Sequence, residues 1–164
     1  ALTSDILNEG IIRHAEVPVN GCYSDYRQIK IDDPERVLNK IWSIGGDNGW
    51  YYANWLWVLR GFIDKISGGV GLRRGRKNRT ELSPGETLDF WRVLIADRKV
   101  KRLLLYAEMK LPGEAWLEFR IDDQNILQQK ATFRPLGLKG RLYWYGILPL
   151  HKLVFRGMIR KIAS

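Results

Sequence analysis

The chain has 164 residues, 45% of them hydrophobic and 12% aromatic, which excludes an intrinsically disordered protein and suffices for one domain with a core. Its most apolar run, residues 142–159, is interrupted by Pro149 and three charged or imidazole side chains, so we expect no transmembrane segment. Cys22 is the only cysteine, which excludes an intramolecular disulfide and indicates a reducing, cytoplasmic location. Because the sequence begins at Ala1 without a signal pattern, we expect it to be part of a longer chain.

The net charge of +9 is concentrated towards the C-terminus. After Asp123 there is no acidic residue, whereas eight of the 27 lysines and arginines follow it, which leaves 19 basic against 18 acidic residues before that point. Such a basic segment either attracts nucleic acid, acidic lipid or an acidic partner, or forms the solvated face of a helix. Basic and aromatic residues do not alternate along the predicted strands, so we expect no nucleic-acid partner.

The N-terminal part of the chain has weak hydrophobic patterning. Residues 1–23 are predicted to form an arm or connector, and residues 24–164 a single domain. Within that domain, Tyr26 to Ile31 is predicted as a short strand. Its Tyr26–Lys30 pair has the YxxxK spacing of short-chain dehydrogenases, but the segment is extended here, so we interpret the match as chance.

Two helices are predicted next. Asp33 and Pro34 form a favourable helix start, an N-cap carboxylate followed by proline at the first helical position, and Gly45 is predicted to end this helix. A second apolar stripe at helical spacing predicts a helix over Trp50 to Ile66.

A glycine-rich, basic segment, Ser67 to Arg79, follows the second predicted helix. Its residues 69–75 resemble a dinucleotide-binding fingerprint, but that motif requires a preceding buried strand and a following helix. Here a helix precedes the glycines, so we predict a corner, and we expect the domain alone not to bind NAD(P).

Four strand candidates at regular spacing come next, joined by short connectors that predict antiparallel neighbours. They are Glu86–Ala96, Val100–Lys110, Glu114–Asp122 and Asn125–Arg134. The remaining residues predict one long helix, kinked or broken at Pro149. Two helices, an antiparallel meander and a long C-terminal helix define an α+β domain.

Alternation along the strands predicts which side chains share a face of the sheet. An odd-length loop near Pro112 places one set of apolar side chains together: Leu105, Ala107, Met109, Leu117 and Phe119. We expect the long helix to cover this face through Leu142, Trp144 and Leu148. For the first strand of the meander two alternatives stay open, because either Asp89 and Trp91 or Arg92 faces inward.

Five blocks of the sequence resemble a known family. They are GGDNGWYYANWLWVLRGFID, GGVGLRRGR, LDFWRV, LLLYAEMKLPGEAWLEF and FRPLGLKGRLYWYGILPLHKLVF. Together they span roughly residues 24–163 and are similar to a bacterial domain family of unknown function. That family often follows an atypical short-chain-dehydrogenase-like NAD(P)-binding domain, in proteins described as nucleoside-diphosphate-sugar epimerases.

The resemblance implies a helix-grip fold like that of START and birch-pollen-allergen domains, a curved antiparallel sheet wrapped around a long C-terminal helix. The family has no established catalytic residues to transfer to this chain, and we expect no cofactor in this domain. An attached or partner domain could hold NAD(P), and the parent protein could then be an oxidoreductase or epimerase.

Within this fold we predict a non-catalytic domain that binds a small apolar ligand in an internal pocket. The predicted pocket residues are Asp89, Trp91, Arg92, Leu105, Ala107, Met109, Leu117, Phe119, Trp144 and His151. Asp89 or Arg92, together with His151, would supply the polar contact. The two histidines and one cysteine lack metal-ligand spacing, so no metal site is expected.

Two alternative functions remain. One is an acid–base enzyme, in which a carboxylate or arginine in the pocket acts on an apolar substrate. Glu108 and Glu118 could serve as acid and base if buried, but they alternate with the apolar residues and so are expected on the opposite face of the sheet. The other is an interaction domain whose basic C-terminal helix docks onto a membrane surface or an acidic partner.

Overall fold

The computed structural model describes residues 17–45, 50–51, 62, 66, 68, 81–89, 91–108 and 111–164. Within these residues one six-stranded sheet packs against two helices. The strands are β1 (Tyr23–Lys30), β2 (Thr87–Leu88), β3 (Trp91–Asp97), β4 (Arg102–Ala107), β5 (Gly113–Ile121) and β6 (Ile126–Pro135), and the helices are α1 (Pro34–Trp42) and α2 (Gly137–Ala163).

The strand order is β1-β6-β5-β4-β3-β2, and every neighbouring pair is antiparallel. Strands β3 to β6 form the predicted meander, while β1 joins the free edge of β6. Helix α2 follows β6 directly and packs back across β6 and β1. The predicted helix-grip fold, a curved antiparallel sheet on a long C-terminal helix, is therefore confirmed.

Helix α1 begins as its sequence predicts. Asp33 is the N-cap, and its Oδ1 accepts a hydrogen bond of 3.1 Å from the backbone N–H of Arg36. Pro34 occupies the first turn, where its missing N–H costs nothing. Gly45, three residues beyond the last helical residue, has a φ of +82°, the left-handed conformation that glycine adopts without strain.

Helix α2 is continuous from Gly137 to Ala163, so of the two predicted alternatives, a kink or a break at Pro149, the break is wrong. Proline removes one backbone donor, which leaves the Tyr145 carbonyl without its helical partner but does not end the helix here. Close packing positions the start of the helix. Gly140 lies against Pro112 and Pro135, and a side chain there would collide with both.

The register of the meander agrees with the predicted odd-length loops. Leu105 lies opposite Leu117 across β4 and β5, and Leu117 lies opposite Ala131 across β5 and β6. Asn125 has a φ of +57°, which is the left-handed turn conformation predicted for the β5–β6 connection. Four of the apolar residues predicted for one face therefore share it: Leu105, Ala107, Leu117 and Phe119.

The structure also decides which side chains of β3 face inward. Trp91 pairs with Ala107 and Val93 with Leu105, so these residues lie on the inner face, towards α2. Arg92 pairs with Tyr106 on the opposite, outer face. An irregularity between Val93 and Ile95 then shifts the register, so the strand does not alternate along its whole length.

The outer face of the sheet carries a small apolar cluster of Leu94, Leu104 and Trp116. Arginine–glutamate pairs between neighbouring strands surround it: Arg92 with Glu108, Arg102 with Glu118 and Arg134 with Glu114. Glu108 and Glu118 are thus held by arginines on the face that α2 does not cover. This placement removes the geometric basis for an acid–base pair of these two glutamates in an internal pocket.

Several predictions fall outside the described residues. These are most of the second predicted helix, the glycine-rich corner, residues 1–16 and Met109. Among the described elements, no helix is long and apolar enough to cross a membrane.

Candidate ligand-binding site

The inner face of the sheet is apolar at β3, β4 and β5 and becomes polar at β6 and β1. Two rows of directly paired residues cross the sheet from β3 to β1. One row runs through Val93, Leu105, Leu117, Ala131 and Asp25. The other runs through Ala96, Leu103, Phe119, Gln129 and Arg27. Both rows end on β1 in a charged side chain beneath α2.

Asp25 and Arg27 form an ion pair on the inner face of β1. The guanidinium Nε lies 2.8 Å from Asp25 Oδ1, and Nη2 donates to Oδ2 at 3.2 Å. The Asp25 side chain is 8% exposed. Burial alone would raise the pKa of Asp25, but the neighbouring His151 and Arg27 outweigh burial, so that the pKa of Asp25 lies below its ordinary value. The carboxyl is therefore ionised at neutral pH.

Gln129 on β6 is the most deeply buried polar side chain of this group, with 1% of its surface exposed. Its Nε2 donates to the backbone carbonyl of Phe155 on α2 at 2.9 Å. Because a carbonyl can only accept, this bond determines the orientation of the amide. The Oε1 atom is buried and has no hydrogen-bond partner. An unpaired acceptor of this kind costs about 1–3 kcal/mol in a protein interior.

His151 lies on α2 opposite the Asp25–Arg27 pair. Its Nδ1 is buried without a hydrogen-bond partner and lies 3.7 Å from Asp25 Oδ2, just beyond hydrogen-bonding distance. The imidazole packs between aromatic rings, with its centroid 4.0 Å from that of Phe155 and 5.2 Å from that of Trp144. His151 is thus positioned by ring contacts while its polar atom points at a carboxylate.

An aromatic cluster closes one side of the polar group. The buried Trp144 ring lies nearly parallel to the rings of Tyr23 and Phe133, with centroid distances of 5.4 Å and 5.9 Å. These residues come from α2, β1 and β6, so the cluster joins the helix to the polar edge of the sheet. It supplies an apolar wall beside His151.

The structure brings together only part of the predicted pocket. Leu105, Ala107, Leu117 and Phe119 belong to one buried cluster on the inner face, together with residues of the second half of α2. Trp144 and His151 lie on α2 beside β1 and β6. Met109 lies outside the described residues.

The predicted polar contacts are separated in the fold. Asp89 is buried next to β3 and accepts a 3.0 Å hydrogen bond from the indole N–H of Trp50. Three strands lie between β3 and β1, where His151 makes its contact. Arg92 lies on the outer face with Glu108, so its predicted place in the pocket is wrong.

The prediction that Leu142 covers the inner face of the sheet is wrong. Leu142 is 63% exposed and lies on the outer surface of α2, whereas Trp144 faces the sheet as predicted. The same half of the helix carries apolar side chains towards the sheet and towards solvent. Sequence spacing alone therefore does not identify its buried side.

Asp25, Arg27 and Gln129 are not among the pocket residues predicted from the sequence, although the sequence of β1 contains a signal for the first two. In the strand sequence YSDYRQIK, four residues at alternate positions are partly buried: Tyr23, Asp25, Arg27 and Ile29. Two charges between two apolar residues on one face indicate a polar site at a sheet edge. The signal becomes interpretable only once β1 is known to pair with β6.

An open depression of about 500 Å³ lies elsewhere, on the exterior of α1. Its lining is mainly charged and polar: Asp33, Glu35, Arg36, Asn39, Lys40, Ser43 and Tyr51. Well-formed ligand sites are mostly apolar and enclosed, so we place the candidate site beneath α2 instead. The described part of the chain contains no group of three His, Cys, Asp or Glu side chains that could hold a metal ion.

A sheet wrapped around a long C-terminal helix, with polar side chains beneath that helix, defines a domain of the helix-grip class. The chain belongs to the DUF2867 family of proteins of unknown function, whose model matches residues 20–158. This agrees with the predicted membership of a family of unknown function, while its link to an NAD(P)-binding domain stays a prediction. No curated protein matches the chain.

Solved structures that are similar to the chain share little sequence with it. Truncated norcoclaurine synthase from Thalictrum flavum is 7% identical, with a TM-score of 0.51 over 90% of this chain and 95% of that one. The major latex-like protein 151 from Panax ginseng is 11% identical, with a TM-score of 0.48 over 88% and 97%. A hypothetical protein from Helicobacter pylori is 12% identical, with a TM-score of 0.49 over 88% and 87%. At 7% identity the likeness to norcoclaurine synthase shows the fold alone.

Proposed function

We propose that this domain binds a small, mostly apolar molecule beneath α2, at the β1–β6 side of the sheet. The observation that carries the proposal is the buried Oε1 of Gln129, which has no partner although apolar residues would fill the same position without cost. His151 Nδ1, also buried and unpaired, lies against the same region. Helix-grip folds commonly enclose ligands between sheet and helix, which is consistent with this location.

The unpaired atoms indicate the chemistry of the ligand. Gln129 Oε1 and the Asp25 carboxylate can only accept hydrogen bonds, so the ligand group that contacts them must donate. A hydroxyl or an amine satisfies this requirement, whereas a carboxylate or phosphate does not. The rest of the ligand would contact the rings of Trp144 and Phe155.

The resemblance to domains that follow short-chain-dehydrogenase-like proteins suggests how this binding is used. In that arrangement the domain would hold a substrate for an attached or partner NAD(P)-binding domain. A hydroxyl-bearing ligand is compatible with such a role, because alcohols are substrates for hydride transfer to NAD(P). The helix-grip domain itself would then need no cofactor.

Native mass spectrometry of the purified chain tests the proposal directly. We expect a mass adduct of a few hundred daltons that disappears on denaturation. Gln129→Leu should abolish the adduct, whereas Gln128→Leu, the same change one residue away on the outer face, should retain it. Absence of any adduct, together with no shift in melting temperature across a library of small alcohols and amines, would contradict the proposal.

An acid–base function is the second candidate, since Asp25 Oδ2 lies 3.7 Å from His151 Nδ1. A carboxylate next to an imidazole is a common way to orient a general base. Asp25 and His151 thus take the place of Glu108 and Glu118, which lie on the outer face, as the candidate acid–base pair. Chemical identification of the ligand before and after incubation with the protein separates the two functions, because a binding domain returns it unchanged.

A further inference from the structure

Helix α2 exposes an apolar stripe to solvent, and Tyr145, at the edge of this stripe, also contacts the sheet, with its ring 5.5 Å from that of Tyr23 on β1. Its members are spaced three and four residues apart and so follow one another along a single helical face: Leu138, Leu142, Tyr145, Pro149 and Leu153. The four leucine and tyrosine side chains of this stripe are between 54% and 71% exposed, and Leu136 and Leu150 beside it are also exposed. We call this set the outer stripe. A soluble helix normally turns polar residues to this side.

Basic residues surround the outer stripe, and acidic residues are absent from the helix. Lys139, Arg141 and Lys152 flank the stripe, and Arg156 and Arg160 continue it towards the C-terminus. Across the whole of α2 there are six basic residues and no acidic residue. Long basic side chains beside an apolar stripe place their charged ends in a headgroup layer while their stems cover apolar surface.

We propose that the outer stripe of α2 is a docking surface for an anionic membrane, on which the helix lies in the plane of the interface. The apolar residues would enter the boundary between headgroups and acyl chains, and the flanking lysines and arginines would contact acidic lipids. The proposal rests on the exposed surface of the helix and is independent of the site beneath it.

The charge of α2 favours an anionic membrane over a second copy of the chain as the partner of the outer stripe. A self-complementary interface would bring two helices of the same strongly positive charge against each other, which is repulsive. An anionic lipid surface attracts the same charges. Residues 138–153 of a straight helix extend about 24 Å, and a flat lipid surface can contact the stripe along this whole length.

Vesicle sedimentation with the full chain tests the proposal. We expect binding to vesicles of phosphatidylcholine with about 30% phosphatidylserine, weak binding to phosphatidylcholine alone, and weakening in about 0.5 M salt. The double variant Leu138→Gln/Leu142→Gln should bind at least about tenfold less tightly. Val100→Gln, which changes an apolar side chain of similar exposure in the β3–β4 turn, serves as the matched control and should bind like the wild type.

A second pair of variants tests the charge. Arg141→Gln/Lys152→Gln should reduce binding to anionic vesicles, while Arg120→Gln on β5 should not. All substituted side chains are exposed, so far-UV circular dichroism and melting temperature should stay unchanged.

Three results would overturn the proposal. The first is no binding, or equal binding to neutral vesicles. The second is binding that the leucine variant leaves intact, since the apolar stripe then contributes nothing. The third is a dimer in analytical ultracentrifugation that dissociates in the leucine variant, which would assign the stripe to a second copy of the chain.

Discussion

Replacing Gln129 with leucine separates the cost of a buried polar group from its use in binding. The wild-type amide makes one hydrogen bond, to the Phe155 carbonyl, and leaves Oε1 buried without a partner. Leucine has a similar volume and no polar atoms. Both the bond and the unpaired acceptor are removed by the substitution, and the surrounding inner face is apolar apart from the β1 side chains.

The expected change in stability follows from these two contributions. Loss of the hydrogen bond costs about 1 kcal/mol, and removal of the unpaired acceptor returns about 1–3 kcal/mol. We therefore expect Gln129→Leu to be between neutral and about 2 kcal/mol more stable than the ligand-free wild type. For a chain of this length each kcal/mol corresponds to roughly 2–4 °C in melting temperature.

Urea unfolding of protein refolded and dialysed to remove any bound molecule measures this difference. Gln128→Leu is the control. Its side chain lies on the outer face and bonds Asp122 at 3.3 Å, so its loss should change stability by no more than about 0.5 kcal/mol. If Gln129→Leu unfolds about 2 kcal/mol more easily than the wild type, Oε1 is satisfied within the folded domain, and the basis for the binding site is lost.

Two further predictions concern Asp25 and the glycines of α2. Because the pKa of Asp25 is lower in the folded chain than its ordinary value, its contribution to stability is complete above about pH 4 and is lost as the pH falls through the folded-state pKa. Asp25→Asn should therefore show a flatter dependence of unfolding free energy on pH below that value in urea titrations. Gly140→Ala should destabilise the domain by roughly 1–3 kcal/mol, since the added methyl group meets Pro112 and Pro135. Gly146→Ala, which meets nothing, should stabilise it by about 0.5–1 kcal/mol, and equal melting temperatures of the two variants would contradict this reasoning.

The local elements of the fold could be predicted from the sequence because their signals are short-range. Asp33 and Pro34 identify the start of α1, and Asn125 marks the β5–β6 turn by a conformation few residues adopt. The odd loop lengths then determine the register, since a shift of one residue would place apolar side chains opposite polar ones. These inferences need only neighbouring segments of chain.

The candidate site could not be predicted in the same way, because its residues meet through distant pairing. Asp25 and Ala131 are opposite one another but far apart in sequence, and nothing in β1 alone identifies β6 as its partner. Alternation along β3 similarly left two alternatives open, and only the pairing of Trp91 with Ala107 and of Arg92 with Tyr106 on β4 decides between them. His151 could be predicted because the long C-terminal helix that carries it is evident from its own stretch of sequence.

Two parts of α2, residues 137–155 and residues 156–163, differ in the pattern of their side chains. In residues 156–163 Met158 faces the core and Arg156 faces solvent, which is the ordinary pattern of a helix that covers a core. Residues 137–155 depart from this pattern by exposing Leu138 and Leu142, and His151 places a polar atom where apolar packing would be more stable. Each departure carries a cost in stability or solubility. Since residues that weaken a fold concentrate where it binds, both departures point to residues 137–155 as the functional part of the helix.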